Sequence, residues 1–143
     1  MANTRIFEGR YEDESRRNYS FDGKHIYTGR WQDQSKIEYT WDGRFLYVGQ
    51  RVDENKVAWN FDGKHIYRGA RRDENKIIFT IVNEKIYRGR WADDDLIEFI
   101  YDGQKFYEGR YKDSNNIIMN VKDNIPAIVL LACWKEPFVH RPS

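Results

Sequence analysis

The 143-residue chain has one cysteine, three prolines, ten glycines and almost no net charge, since 24 Lys and Arg face 23 Asp and Glu for a balance of +1. A lone Cys133 cannot form an internal disulfide, so the fold does not rest on disulfide staples and fits a reducing compartment. The near-zero charge leaves no broad positive field to hold a polyanion by counterion release, so nucleic acid is excluded as a default partner. The N-terminus Met-Ala-Asn-Thr-Arg-Ile-Phe-Glu-Gly lacks a basic stretch followed by an apolar one, so a cytoplasmic location is expected. The longest apolar run, Ala127 to Trp134, is far below the roughly 20 residues of a spanning helix, and no transmembrane segment is expected. All three prolines (Pro126, Pro137, Pro142) lie near the C-terminus, so residues before 126 are free to pair as strands.

What is present is repetition. In rows of twenty, Phe21-Asp22-Gly23, Trp41-Asp42-Gly43, Phe61-Asp62-Gly63 and Tyr101-Asp102-Gly103 fall in register, with Ile81-Val82-Asn83 as a degenerate copy. An aromatic-any-Gly signal recurs at Phe7-Gly9, Tyr27-Gly29, Tyr47-Gly49, Tyr67-Gly69, Tyr87-Gly89 and Tyr107-Gly109, and these two motifs account for every glycine. A third column holds Asp13, Asp33, Asp53, Asp73, Asp93 and Asp113. One aspartate per repeat points to turn initiation rather than to a calcium or acid–base array.

Between these marks the segments alternate at period two, as in Lys24-His25-Ile26-Tyr27-Thr28-Gly29-Arg30-Trp31. Two short turns per repeat predict an all-β antiparallel up-and-down meander of about 12 to 13 strands in one domain, 1–143, with six 20-residue hairpin repeats over 1–120 and a closing segment 121–143. The glycines of the aromatic-any-Gly signal are expected inside strands, under aromatic rings. Two parities fit the pattern. With three-residue bulged loops, Tyr27, Gly29 and Trp31 share a face with Ile37, Tyr39 and Trp41; with a two-residue Asp-Gly turn, Ile6, Ile26, Leu46, Ile66, Ile86 and Phe106 enter the core and the tyrosines turn outward.

The row Tyr87-Arg88-Gly89-Arg90-Trp91, then Tyr101-Asp102-Gly103 and Tyr107-Glu108-Gly109-Arg110-Tyr111, resembles the MORN repeat over residues 6 to 120. The unit differs in being 20 residues long rather than 23, in lacking a glycine pair in its second strand, and in one extra apolar residue such as Ile66 before the tyrosine. A lesser likeness is to choline-binding hairpin repeats, whose glycine-rich turn and paired tryptophans are missing here. The MORN resemblance implies a curled open sheet that acts as a protein-binding scaffold or, in some cases, binds lipid head groups. The curled sheet is also the expectation on filling grounds, because a circular barrel of about 12 strands encloses more space than side chains occupy. A closed flattened barrel is the alternative.

No P-loop, GxGxxG, HExxH, GxSxG or CxxC pattern occurs, so neither an enzyme nor a cofactor is expected, and the sequence identifies no biochemical activity. His25 and His65 share one repeat column and read as half-buried strand histidines, not metal ligands. Candidate binding residues are Tyr27, Arg30, Trp31, Tyr47, Tyr67, Tyr87, Arg90, Trp91, Tyr107 and Tyr111, a stripe of rings and guanidinium groups suited to stacking. The competing account is that these rings fill the interior. The expected function is non-catalytic protein binding, including an immunity or antitoxin-like role; the alternative is a lectin-like or cell-surface ligand binder with one weak aromatic site per repeat.

The closing segment breaks the repeat, with Pro126, Ala127 and Val129 in place of the apolar residue, the tyrosine and the glycine. Apolar on both parities, Ala127–Trp134 is predicted to be a strand covered on both faces. It would cap the aromatic face, pair with the N-terminal hairpin, or form a homodimer interface.

Overall fold

The computed structural model describes residues 4–13, 15–16, 18–29 and 31–135. Its strands are β1 (Thr4–Glu8), β2 (Asn18–Phe21), β3 (His25–Thr28), β4 (Ile37–Trp41), β5 (Phe45–Val48), β6 (Val57–Phe61), β7 (His65–Arg68), β8 (Ile77–Val82), β9 (Lys85–Arg88), β10 (Ile97–Tyr101), β11 (Lys105–Glu108) and β12 (Ile117–Val121), followed by helix α1 (Ala127–Lys135).

The hairpin turn can be followed in repeat 4. Phe61 pairs with Ile66, so the two-residue loop is Gly63-Lys64, one position later than the Asp-Gly pair. Gly63 sits at φ +102°, where a Cβ would be strained. Asp62 stays outside the loop and ties it down, its Oδ1 accepting from the N–H groups of Lys64 at 2.9 Å and His65 at 2.7 Å. In repeat 5 Asn83 takes the glycine's place at φ +58°, a conformation that Asn tolerates better than other residues with a side chain.

The other connection is a longer excursion, here called a petal, running from the second glycine to the next strand: petal 1 begins at Gly9, petal 4 spans 69–76, and petals 5 and 6 span 89–96 and 109–116. In petal 4, Asp73 caps a single 3₁₀ turn, Glu74–Lys76, by accepting from the Asn75 N–H at 3.0 Å. The strands flanking it are out of step by one residue. Ile66 faces Phe79 but Tyr67 faces Ile77, a bulge at Ile78 that lets Ile66 and Phe79 point inward while Tyr67 and Ile77 point outward. The first parity, with Tyr27 beside Tyr39 and Trp41, is therefore corrected. The petal glycines also differ from expectation: Gly49, Gly69 and Gly89 lie just beyond strands at φ +92°, +85° and +81°, and a Cβ added at any of them meets nothing within 4 Å. Glycine is needed there for its backbone angle, not for close packing.

The meander closes. β1 pairs with β12 through Ile6↔Val121, Phe7↔Asn120 and Glu8↔Met119, giving a barrel of twelve antiparallel strands without an edge. The open curled sheet is thus replaced by the closed alternative, and what makes closure feasible is the segment after the repeats. Ala127–Lys135 is a helix, not a strand, and Ile128, Val129, Leu130, Leu131, Ala132 and Cys133 are all buried in one cluster with the inward rings Tyr19, Tyr39, Trp41, Trp59, Phe79 and Phe99. A helix apolar on every side must be covered on every side, and here the barrel wall encloses it. Pro126 precedes the helix, where its missing N–H costs no bond. Two wall tyrosines meet its ends: the Ile125 N–H donates to Tyr101 Oη at 3.0 Å, and Tyr19 O–H donates to the Cys133 carbonyl at 3.4 Å. The apolar residues 128–133 are thus covered inside their own chain, capping the inward rings; Pro137 and Pro142 lie outside the described residues. No described helix is long and apolar enough to cross a membrane.

Removing packing from the plug should cost stability. Leu130→Ala is expected to destabilise by about 2 to 5 kcal/mol in urea unfolding, and an unchanged midpoint would show that the barrel stands without it. At the hairpin turn, Gly63→Ala should cost about 1 kcal/mol, and Gly63→Asn, which copies Asn83, measurably less. The reverse order would mean that side-chain volume, not φ, governs the position.

Candidate functional site

The outward parity carries one covered aromatic ring per repeat, Phe7 in the first and a tyrosine in each of the other five. Tyr27, Tyr47, Tyr67, Tyr87 and Tyr107 are buried on the outer wall, and four of them are latched. Tyr27, Tyr47 and Tyr67 donate to Oδ2 of Asp22, Asp42 and Asp62 at 2.8, 2.9 and 2.8 Å, and Tyr107 reaches Asp102 at 3.4 Å. Each aspartate thus holds its turn with one carboxylate oxygen and its tyrosine with the other.

A second outward column tethers the petals. Thr40 and Thr80 donate to the Gly49 and Gly89 carbonyls at 2.8 and 2.7 Å. Asn60 and Asn120 reach further, to Gly69 and Arg71 in one case and to Gly9 and Tyr11 in the other. The column fails twice, at Ser20, whose Oγ is buried without a partner, and at Ile100, which has no polar atom to offer.

The solvent-facing groups are on the petals. Tyr11, Trp31, Trp91 and Tyr111 are 70, 67, 65 and 68% exposed. They occupy one column of the repeat, which holds Arg51 and Arg71 in repeats 3 and 4. Because β12 is joined to β1, repeats 5, 6, 1 and 2 are consecutive around the barrel, and the four rings form a continuous arc of petals. Arg10, Arg90 and Arg110 lie over the rings of Tyr11, Trp91 and Tyr111 at 5.6, 5.2 and 5.9 Å. The same arginines stitch each petal to the one before: Arg90 to Glu74 at 3.4 Å, Arg110 to the Asp94 carbonyl at 3.1 Å, and Arg10 across the seam to the Ser114 carbonyl at 3.4 Å.

The ten sequence candidates therefore divide. Trp31, Arg90, Trp91 and Tyr111 belong to the exposed arc, Tyr27, Tyr47, Tyr67, Tyr87 and Tyr107 are latched or covered on the wall, and Arg30 lies outside the described residues. Arg10 and Tyr11 are additions, and Arg110, in the same column as Arg30 and Arg90, joins the arc with them. Their signal was an Arg-aromatic pair in rows 1, 2, 5 and 6, against Gln50-Arg51 and Ala70-Arg71 in rows 3 and 4, and its meaning depends on knowing that row 6 adjoins row 1. His25 and His65 are half-buried on the outer wall, with His65 Nδ1 3.0 Å from Thr80 Oγ1.

The latch sets a pH dependence. Burial opposes ionisation of Asp22, Asp42 and Asp62, but the backbone N–H groups and the tyrosine hydroxyl outweigh it and hold the carboxyls below their usual range. Their contribution is present above the unfolded value of about 4 and is lost as pH falls through the lower folded value. Burial first, and then the facing carboxylate, push Tyr27 and Tyr47 up to about 12. That contribution is complete below the unfolded value of about 10 and is lost as pH rises toward 12. Tyr47→Phe should cost about 1 kcal/mol at neutral pH, while Tyr87→Phe, whose position has Val82 instead of Asp, should be close to neutral. Equal effects on urea unfolding would refute the latch.

A family model described as "6-fold beta flower protein" matches residues 1–97 and 50–125, and the chain belongs to that family. The match is to a hairpin-repeat family other than MORN. The comparisons with curated proteins and with solved structures returned no match.

Proposed function

We propose that this β-flower barrel is a non-catalytic binding module that engages a protein partner through the arc of petals 5, 6, 1 and 2, in the manner of a scaffold or an immunity or antitoxin-like inhibitor. The observation that carries this reading is the concentration of Tyr11, Trp31, Trp91 and Tyr111, all about two-thirds exposed, on consecutive petals. Trp, Tyr and Arg are the residues that dominate protein interfaces, because they bury large amphipathic area at low entropic cost. Each described arginine of the arc is already stacked and bonded to a neighbouring petal, so little ordering remains to be done on binding. The lumen offers no rival site, since the helix fills it. Placement in a reducing compartment accords with Cys133 held as a buried thiol outside any disulfide.

A lectin-like role is the second reading, favoured by the separation of the four rings onto separate petals, where each could stack on its own sugar and gain strength by multivalency. Replacing Tyr11, Trp31, Trp91 and Tyr111 together by Ser should leave folding stability within about 0.5 kcal/mol for each site. The same change should weaken a partner isolated from the source organism by about 100-fold or more in calorimetry. Arg51→Ser with Arg71→Ser on the opposite petals should weaken it by less than tenfold. Equal losses from both sets would remove the arc as the site, and a glycan-array signal abolished by the arc variant would move the assignment to the lectin.

A further inference from the structure

The repeats act as internal controls for one another, and repeat 5 departs from them on the outer wall in three adjoining places. Val82 stands where four repeats have the latch aspartate, Asn83 where they have glycine, and Ile100 where a threonine, asparagine or serine otherwise stands in the petal-tethering column. These changes surround a recess of about 400 Å³, within the size range of small-ligand sites. Its floor is Val82, Ile100 and the ring of Tyr87; its rim is Asn83, Glu84, Lys85 and Lys112.

Tyr87 is the telling residue. It is 5% exposed as a whole, and its hydroxyl, which in the sister repeats donates to an aspartate, makes no hydrogen bond to the described residues and is not sealed from solvent, so it stays available to a ligand in the recess. A donor left to solvent beside an apolar floor can exchange water for a ligand's acceptor. At the rim, Lys112 is neutralised by Glu84 at 2.7 Å, whereas Lys85 makes no ion pair among the described residues and pairs across the strand with Ile100 at the floor. An apolar floor, one unmet hydroxyl donor and one unspent cation together define the complement of a flat apolar body bearing an anionic acceptor.

The geometry points to a small-molecule site on the outer wall of repeat 5 that takes an aromatic carboxylate, its ring on Val82 and Ile100 and its carboxylate accepting from Tyr87 Oη and Lys85 Nζ. The site is distinct from the aromatic arc and stands without the protein-binding reading.

The test uses 2-naphthoate as the probe and the full chain labelled with ¹⁵N. Backbone shifts that saturate on titration and centre on residues 82–87, 100 and 112 are expected. Lys85→Ala should weaken binding about tenfold, as should exchanging the probe for the neutral 2-naphthalenemethanol. Val82→Asp restores the latch of the other repeats, so it should capture the Tyr87 hydroxyl and abolish binding without lowering the melting temperature. Tyr87→Phe provides the same loss of the donor by a change that adds no charge, and should weaken binding about tenfold. Shifts that centre elsewhere, equal affinity for the alcohol, or unchanged affinity in Val82→Asp and Tyr87→Phe would overturn the assignment.

Discussion

The structure depends on the fit between a twelve-stranded wall and the single helix inside it. Strands about 4.8 Å apart, tilted by about 40°, close at a radius of roughly 12 Å. Side chains from the wall alone cannot meet across that span, and a hole of such size would be filled with water against apolar rings. A helix with its side chains is about 10 to 12 Å across, which leaves room for one layer of wall residues around it. The inward column supplies that layer with its largest members, Trp41, Trp59, Tyr39, Phe79 and Phe99. Without the helix the ring would have to flatten or open, and with it the ring closes and every strand finds two neighbours.

That coupling explains which parts of the fold could be read from the chain. The repeat length, the strand count and the presence of two turns per repeat followed from glycine and aspartate columns, because positive φ and turn capping are local demands. Whether Tyr67 or Ile66 faces inward depended on one bulged residue, Ile78, and on a loop at Gly63-Lys64 rather than at Asp62-Gly63; neither leaves a compositional mark. Ala127–Trp134 was misread as a strand because an apolar run this short has no polar residues to reveal its period. Closure stood second to the curled sheet because of an argument about empty volume that was sound for the repeats alone. It failed because the filling came from outside them.

The candidate site shows the same division. Exposed rings at Trp31, Trp91 and Tyr111 were legible as aromatics but not as a group, since Tyr11 and Tyr111 stand 100 positions apart and become neighbours through the β1–β12 seam. The tyrosines of the wall look identical to them in composition. What separates the two sets is the aspartate five residues before each latched ring, whose second oxygen holds the hydroxyl down. Where Val82 replaces that aspartate, the ring stays buried but its polar end is left over, and a lapse in the repeat becomes a local chemical feature.

The seam also has a bearing on how the chain comes to be folded. Hairpins between successive strands join residues that emerge close together, whereas Phe7 waits for Asn120, and the plug that fills the ring follows only after that. Topologies whose decisive pairing is so remote in sequence tend to fold slowly, because the loop-closure entropy falls due before its contacts form. On a ribosome, the first five hairpins would stand as an open sheet with unsaturated edges until the last quarter of the chain appears. The barrel can then be sealed only as a final step, with the helix captured inside as the wall comes round.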